Sequence, residues 1–274
     1  MSPTAVYEPK SGNIRAWSDH NFCRLQGDRS GYNPWQKRPI HPHGVPDLTK
    51  EEVRARIQEI GIIPAARVAS AEEARFAADA VFQGGIPIVE IPLTVPDAVE
   101  VISQVSRQTP EMIVGAGSVY DTTTARLCLE AGARFLTTDA LDLAIVDFAV
   151  SENVVMLAAA MTPTEVVAAW KAKSDFIKVF PCGPLGGEQY IRALKGPFPN
   201  APLVAAGGVN QKTAMGFILA GAIALGVGKE LIPKEAIERR KANQIRELAR
   251  RFLGFVQEAR ARMAPRRPGV TLSK

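Results

Sequence analysis

The sequence predicts a (β/α)8 barrel, the TIM-barrel architecture, preceded by an irregular N-terminal extension. The chain has 274 residues, and single barrels of this class run to about 250 residues. From Asp47 onward, short apolar runs alternate with amphipathic segments. Eight such units follow one another without a break, which favours a closed barrel over an open doubly wound sheet.

The N-terminal segment differs from the rest of the chain. Residues 1–46 are rich in Gly, Pro, Asn, Asp and Arg, with scattered Trp17, Tyr32 and Trp35 and no sustained period. We therefore expect an irregular extension over 1–46 and a barrel over 47–258.

Each predicted strand is a short apolar run between helical segments. The runs are residues 62–67, 86–91, 112–117, 134–138, 154–158, 175–180, 202–208 and 222–228. A first helix is predicted over residues 48–59, and helical stretches such as residues 71–83 separate the runs. A long basic helix, from about Lys234 to Met263, is predicted to close the series.

The positive charge of the chain is concentrated at its C-terminal end. The net charge is +5, and residues 259–274 contain five basic side chains and no acid: Arg260, Arg262, Arg266, Arg267 and Lys274. We interpret 259–274 as a solvated basic tail rather than a nucleic-acid arm, because no aromatic platform accompanies it. No apolar run is long enough to cross a bilayer and no secretory signal begins the chain, so a cytoplasmic protein is expected.

Histidine and cysteine usage excludes several kinds of chemistry. The three histidines, His20, His41 and His43, lie in the predicted extension, so the barrel lacks the imidazole of Ser–His and Cys–His nucleophiles and of most zinc sites. The three cysteines (Cys23, Cys128 and Cys182) have no paired spacing, so neither a disulfide framework nor a metal is expected.

Lys178 is the candidate nucleophile. It lies in the sixth predicted strand with Ile177 and Val179 on either side and Phe176 and Phe180 beyond them. Burial disfavours the charged form of an amine, and a neutral amine can attack a carbonyl to form an imine. The alternatives are a structural ion pair or a lysine that reaches the rim of the barrel.

Glu90 is the candidate proton-transfer group. It lies in the second predicted strand, which faces the sixth across an eight-stranded barrel, so the two side chains can share an interior layer. A carboxylate there can move protons during imine and enamine formation. The alternative is a buried Lys–Glu ion pair, an arrangement that seldom repays its desolvation.

Two anion-binding groups are predicted at the ends of the strands. Arg67 ends the first strand and Ser118 follows Gly115-Ala116-Gly117, so together they can hold a substrate carboxylate. Gly207, Gly208 and Gly228 end the last two strands, the usual phosphate site of barrels, and Lys229 adds a positive charge. A surface ion pair for Arg67 and simple turns at the glycines are the alternatives.

These motifs resemble the 2-keto-3-deoxy-6-phosphogluconate and 4-hydroxy-2-oxoglutarate aldolases, from about Ile62 to Leu231. The similar segments are GGIPIVEIPLTVPDA, IVGAGSV, MTPTE, FIKVFP, KGPFPN, GGVN and GVGKEL. The resemblance implies a homotrimeric class I aldolase in which Lys178 forms the Schiff base and Glu90 transfers protons. It also implies that Arg67 and Ser118 lie near the pyruvate carboxylate, and that Gly207, Gly208 and Gly228 bind phosphate.

Four positions depart from the family pattern, all at strand ends. Thr138-Asp139 stands where Ser-Pro is usual, Ala158-Ala159 where Pro-Gly is usual, Ala206 for Thr and Lys229 for Ser. Asp139 is expected to meet a hydroxyl or an amine, and Lys229 a phosphate or a second carboxylate. Thr94, Thr138, Asp139 and Phe180 are expected to line the pocket.

The predicted activity is reversible cleavage of a 2-keto-3-deoxy sugar acid, or of a 4-hydroxy-2-keto acid, to pyruvate and an aldehyde. The expected ligand is a small keto acid, with no cofactor, nucleic acid or membrane partner. Three alternatives stay open: a family member altered toward another keto acid, a barrel isomerase that uses Glu90 and Lys178 without an imine, and a non-catalytic oligomeric scaffold.

Overall fold

The structure, a computed structural model, describes residues 48–264. The predicted extension over 1–46 and most of the predicted tail over 259–274 lie outside these residues. The described part alternates strands and helices from end to end, and this order confirms the (β/α)8 prediction.

The eight strands correspond one to one to the predicted runs. They are β1 (Ile62–Pro64), β2 (Ile88–Pro92), β3 (Ile113–Gly117), β4 (Phe135–Thr137), β5 (Val155–Ala160), β6 (Phe176–Val179), β7 (Leu203–Ala206) and β8 (Ala224–Val227). Most are shorter than predicted, because at the ends of several apolar runs only isolated backbone hydrogen bonds reach the neighbouring strand, as at Ala66, Arg134 and Phe180.

The helices follow the strands around the barrel. They are α1 (Lys50–Ile60), α2 (Ala71–Gln83), α3 (Ala98–Gln108), α4 (Thr122–Glu130), α5 (Leu143–Ser151), α6 (Pro163–Lys171), α7 (Glu188–Lys195), α8 (Ala214–Leu219), α9 (Lys234–Glu238) and α10 (Ala242–Met263). A short 3-10 helix, Gly183–Leu185, precedes α7. Helix α1 begins one residue after Thr49, which forms a reciprocal capping box with Glu52.

All the strands are parallel, in the order β1-β8-β7-β6-β5-β4-β3-β2. An isolated parallel bridge between Ala65 and Glu90 joins β1 to β2 and closes the ring. There the Ala66 N–H donates to the Glu90 carbonyl at 2.9 Å. Because β1 pairs with β8 only as far as Pro64, this bridge lies just beyond its end.

The C-terminal helical region differs from the prediction in two ways. The single helix predicted from Lys234 to Met263 is two helices, separated where Arg240 adopts a left-handed conformation with φ 49°. Helix α10 ends at Met263, as predicted for the last helix, but residues 259–263 of the predicted solvated tail are thereby helical, and Ala259 is fully buried against the barrel. No Gly or Pro marks the break at Arg240, so the sequence pattern gave no stop signal there.

Candidate active site

A pocket of about 580 Å³ opens at the C-terminal ends of the strands. The predicted residues that line it are Arg67, Glu90, Asp139, Lys178, Phe180, Gly207, Gly208, Gly228 and Lys229. Ala206, one of the strand-end departures from the family pattern, also lines it, and the lining residues that were not among the predicted site residues are Ile63, Ala65, Leu157, Val204, Val209, Asn210, Gly226 and Glu230. The pocket therefore collects side chains from both halves of the chain at one end of the barrel, where barrel enzymes bind their substrates.

Lys178 lies in β6 between Ala159 of β5 and Val204 of β7 in the strand register. The residue is only 6% exposed. Its Nζ is 2.7 Å from Oδ1 of Asp139 and 5.2 Å from the centroid of the Phe180 ring. The amine thus projects into the pocket with one carboxylate oxygen in direct hydrogen-bond contact.

Asp139 lies in the loop between β4 and α5 and is the centre of a cluster of polar contacts. Its Oδ2 accepts a hydrogen bond from Ser118 Oγ at 2.6 Å and is 3.8 Å from a guanidinium nitrogen of Arg67. Burial alone would raise the pKa of Asp139, but the Lys178 ammonium, the Ser118 hydroxyl and Arg67 together hold it below the ordinary value. This carboxylate therefore stays ionised at neutral pH.

Glu90 lies in β2 and is also only 6% exposed. A side chain at Gly117 would collide with its carboxyl group, so the glycine of β3 makes room for it. Among residues 48–264, no side chain forms a hydrogen bond or an ion pair with the Glu90 carboxylate, Lys178 included. The buried Lys–Glu ion pair considered as an alternative is therefore not formed, and Asp139 takes that place.

Arg67 and Ser118, which are predicted to hold the substrate carboxylate, both lie next to the carboxylate of Asp139. Arg67 ends the β1 run with its side chain 54% exposed, whereas Ser118 is 1% exposed. Both contact Oδ2 of Asp139. Within the protein, the partners of Asp139 are Ser118 and Lys178, and its expected contact with a hydroxyl or an amine of the substrate stays a prediction.

The predicted phosphate site, formed by Gly207, Gly208 and Gly228, combines a packing requirement with groups that can bind an anion. Gly208 has φ 98°, and a side chain there would collide with the backbone of Gly183, so glycine is required for packing. Within the described residues, however, the backbone N–H groups of Gly208 and Lys229 form no hydrogen bond. Both residues line the pocket, and free N–H groups of this kind bind anions.

Two predicted pocket residues occupy other positions. Thr138 is fully buried, and its Oγ1 accepts a hydrogen bond from the Ala159 N–H at 3.0 Å, so it braces β4 against β5. Thr94 is exposed in the loop after β2. Neither is among the described residues that line the pocket, and the buried Ser118, predicted to bind the substrate carboxylate, is not among them either. These three positions differ from the prediction.

Other chemistries find little support in residues 48–264. Burial raises the pKa of both the Cys128 and the Cys182 thiols to about 11, so neither forms a thiolate at neutral pH. No group of three or more His, Cys, Asp or Glu side chains in this range has the spacing of a metal site. No helix in the same range is long and apolar enough to span a membrane.

Comparison with known proteins gives consistent results. The KDPG and KHG aldolase family matches residues 53–248. The 2-dehydro-3-deoxy-phosphogluconate aldolase of Pseudomonas aeruginosa is 27% identical over 214 residues, which cover 77% of this chain and 97% of that protein. The KHG/KDPG aldolase of Escherichia coli is 26% identical and covers 69% of this chain and 89% of that protein.

A solved structure is similar over the same region. KDPG aldolase from Legionella pneumophila, with pyruvate captured at low pH as a covalent carbinolamine intermediate, superposes with a TM-score of 0.67 at 25% identity. The superposition covers 72% of this chain and 96% of that one.

Proposed function

The chain belongs to the KDPG and KHG aldolase family, and from that premise we propose that it is a class I aldolase. It is a lyase that reversibly cleaves a 2-keto-3-deoxy sugar acid, or a 4-hydroxy-2-keto acid, to pyruvate and an aldehyde. Its ligand is a small keto acid, and we place its activity in the cytoplasm as part of the same proposal.

One observation carries this proposal: the buried amine of Lys178 opens into a strand-end pocket that also contains the buried carboxylate of Glu90. An amine inside a barrel is costly unless it is paired or used in chemistry. The carbinolamine captured in the Legionella relative is the first covalent species on the route to an imine. The same chemistry accounts for the lysine here.

The reaction begins at the carbonyl carbon, C2, of the substrate. The free amine of Lys178 attacks C2 to form a carbinolamine, and loss of water leaves a protonated imine. Glu90, acting through a water molecule, takes the proton of the C4 hydroxyl. The C3–C4 bond then breaks, its electron pair moves toward the iminium nitrogen, and the aldehyde leaves.

The second half returns the enzyme to its starting state. The enamine that remains on Lys178 takes a proton at C3, supplied from Glu90, which gives the imine of pyruvate. Water adds to this imine and releases pyruvate and the free amine. Each proton that Glu90 accepts in cleavage is thus returned at C3, so the cycle balances.

Substrate orientation comes from the two ends of the pocket. Arg67 holds the carboxylate next to C2, and the backbone N–H of Ser118 is the second contact, because the Ser118 hydroxyl donates to Asp139. The N–H groups of Gly208 and Lys229 and the Lys229 ammonium bind an anionic group at the far end. The Lys229 ammonium binds either a phosphate or a second carboxylate, and both are acidic groups of the substrate class proposed here.

Borohydride reduction in the presence of pyruvate tests the proposal. We expect a reduced adduct on the peptide that contains Lys178, and none in the Lys178→Met variant. Lys195 is an internal control, because burial lowers the pKa of this half-buried lysine, yet it lies outside the pocket. Absence of an adduct at saturating pyruvate, or an adduct on Lys195 instead, contradicts the proposal.

A homotrimer is the quaternary structure that the family resemblance implies. Large apolar side chains are exposed on neighbouring parts of the barrel: Tyr120 after β3, Leu127 on α4, Leu143 on α5 and Met161 after β5. We expect Leu127→Glu to lower the mass measured by analytical ultracentrifugation. Trp170→Glu, at an exposed apolar position on α6, is the matched control, and an equal effect of both variants contradicts this assignment.

A further inference from the structure

We propose that Asp139 is a second catalytic carboxylate that accepts the proton of Lys178 Nζ before the attack on C2 and then pairs with the iminium nitrogen. This inference rests on the proposed aldolase function. It divides the proton transfers between two residues, Asp139 at the nitrogen and Glu90 at the carbon and hydroxyl groups of the substrate.

The contact distances assign the nitrogen to Asp139. Proton transfer between two groups requires hydrogen-bond contact, of about 2.6–3.2 Å between heavy atoms, or one bridging water. Asp139 Oδ1 is 2.7 Å from Nζ, whereas Glu90 has no ion pair with Lys178 within 4.0 Å. Of the three carboxylates that line the described pocket, those of Glu90, Asp139 and Glu230, Asp139 is therefore the one that can take the proton of the amine directly.

Ser118 fixes the direction in which Asp139 acts. The buried hydroxyl donates to Oδ2 at 2.6 Å, which leaves Oδ1 free to face Nζ. A carboxylate held at one oxygen by a buried donor keeps its other oxygen in place while bonds change at the amine. Ser118 is thus a positioning residue for Asp139, in addition to its proposed contact with the substrate.

The protons balance in this scheme. One proton moves from the ammonium to Oδ1 of Asp139, and the neutral amine then forms its bond to C2. As that bond forms, Asp139 returns its proton to the C2 oxygen, which gives the hydroxyl group of the carbinolamine. Asp139 then takes a second proton from the nitrogen and delivers it to this hydroxyl, the C–O bond breaks, and water leaves. The product is a protonated imine with its N–H beside the ionised Asp139, and no further reactant is required.

The surroundings of the pair favour a chemical role over a purely structural one. The side chains of Lys178 and Asp139 are 8% and 16% exposed, and both border the pocket. Buried ion pairs seldom stabilise a fold by more than their desolvation costs. Arg67, Glu90, Lys229 and Glu230 are the other charged groups on the same pocket wall. A substrate that displaces water weakens the preference for the charged pair and so favours transfer of the proton.

A competing role for Asp139 gives a different kinetic result. Its carboxylate contacts Arg67 and Ser118, the groups proposed to hold the substrate carboxylate, so it can also act as an internal competitor. Removal of a competitor lowers KM and leaves kcat unchanged, whereas removal of the group that accepts the Nζ proton slows imine formation itself.

The test compares Asp139→Asn, which keeps the shape of the side chain, with Glu90→Gln and wild type. Enzyme and pyruvate are mixed, quenched with borohydride at a series of times, and the adduct on Lys178 is quantified. We expect Asp139→Asn to slow adduct formation by about 10²-fold or more. Glu90→Gln should form the adduct faster than Asp139→Asn but lose exchange of the pyruvate methyl protons in D2O.

Two controls separate catalysis from folding. Asp142→Asn makes the same change three residues away, at the exposed N-cap of α5, and should form the adduct at the wild-type rate. In Asp139→Ala, added formate should restore part of the rate, because a small carboxylate can occupy the space left at the amine. A merely structural aspartate would not give this rescue.

Failure of the proposed role of Asp139 and failure of the proposed aldolase function give different results. If wild type forms no adduct, the aldolase proposal fails. If wild type forms the adduct and Asp139→Asn forms it equally fast, or shows only a lower KM, then Asp139 does not transfer the proton and the inference is overturned while the aldolase proposal stands.

Discussion

The buried cation at one end of the barrel and the half-buried cations at the other end have different kinds of partner. At the C-terminal ends of the strands, Lys178 contacts the carboxylate of Asp139 and borders an open pocket. At the other end, Lys195 donates to the carbonyl oxygens of Pro199 and Ala201 at 3.0 and 2.7 Å. A backbone carbonyl cannot take a proton from an ammonium group at neutral pH, whereas a carboxylate can. The two ends of the barrel therefore differ more in the partner of the cation than in the burial of the cation.

Arg260 strengthens the contrast at the structural end. Its guanidinium donates to the carbonyl oxygens of Gln58, Glu59 and Ile223, which link α10 to the end of α1 and to the start of β8. Burial lowers the pKa of this arginine, although the charge of Glu59 acts in the opposite direction. This side chain holds elements together, and it lies in the segment that the sequence predicts to be a solvated tail.

The largest expected effect distinguishes the two lysines. Lys178→Met should reduce aldol cleavage by on the order of 10⁴-fold or more, because the nucleophile is lost. Lys195→Met should lower the melting temperature but retain activity per folded molecule. Cleavage rates and thermal unfolding measured on both variants check this, and similar losses of activity in the two would contradict the division between the ends.

The next effect concerns stability alone. Arg260→Met leaves three carbonyl oxygens without their donor and should cost about 2–4 kcal/mol of unfolding free energy. Arg262→Met is the matched control, because Arg262 forms only an exposed i,i+4 ion pair with Glu258 and should change stability by less than about 0.5 kcal/mol. Urea unfolding measures both, and equal costs would show that the carbonyl contacts add nothing.

A smaller effect is expected at the distal corner of the pocket. Lys229→Ser should raise KM by about tenfold for substrates with a distal phosphate or carboxylate, since one charge contact is lost. The rate of pyruvate adduct formation should stay the same, because pyruvate does not reach that corner. Lys212→Ser changes an exposed lysine on the adjacent loop, outside the pocket, and serves as control.

The smallest effect is the pH dependence that Asp139 contributes. Because its pKa is lowered in the folded state from the ordinary 3.8, its ionised form stabilises the fold above that value. This contribution is lost as the pH falls below 3.8 and through the lowered value. The stability difference between wild type and Asp139→Asn should therefore shrink as the pH is lowered from neutral to below 3.8. An unchanged difference in thermal unfolding would contradict this.

The sequence predicted the parts of the molecule that depend on local pattern. Apolar runs at regular intervals identified all eight strands, and the isolated cation in FIKVF identified Lys178. Contacts between distant segments were harder to predict. Asp139 was recognised as an ionisable residue at a strand end, but its contact with Lys178 joins residues 39 positions apart. The absence of a Glu90–Lys178 ion pair and the carbonyl contacts of Arg260 likewise depend on packing between elements, which periodicity does not encode.

The closure between β1 and β2 has a consequence for substrate binding. The ring is joined there by the bridge from Ala65 to Glu90, and the pocket residues Arg67 and Glu90 stand on either side of the junction. A keto acid bound between these two side chains would add a contact between strands that are joined by an isolated bridge. Slower deuterium uptake at the Ala66 amide would then report occupancy of the pocket from a backbone atom that takes no part in the chemistry.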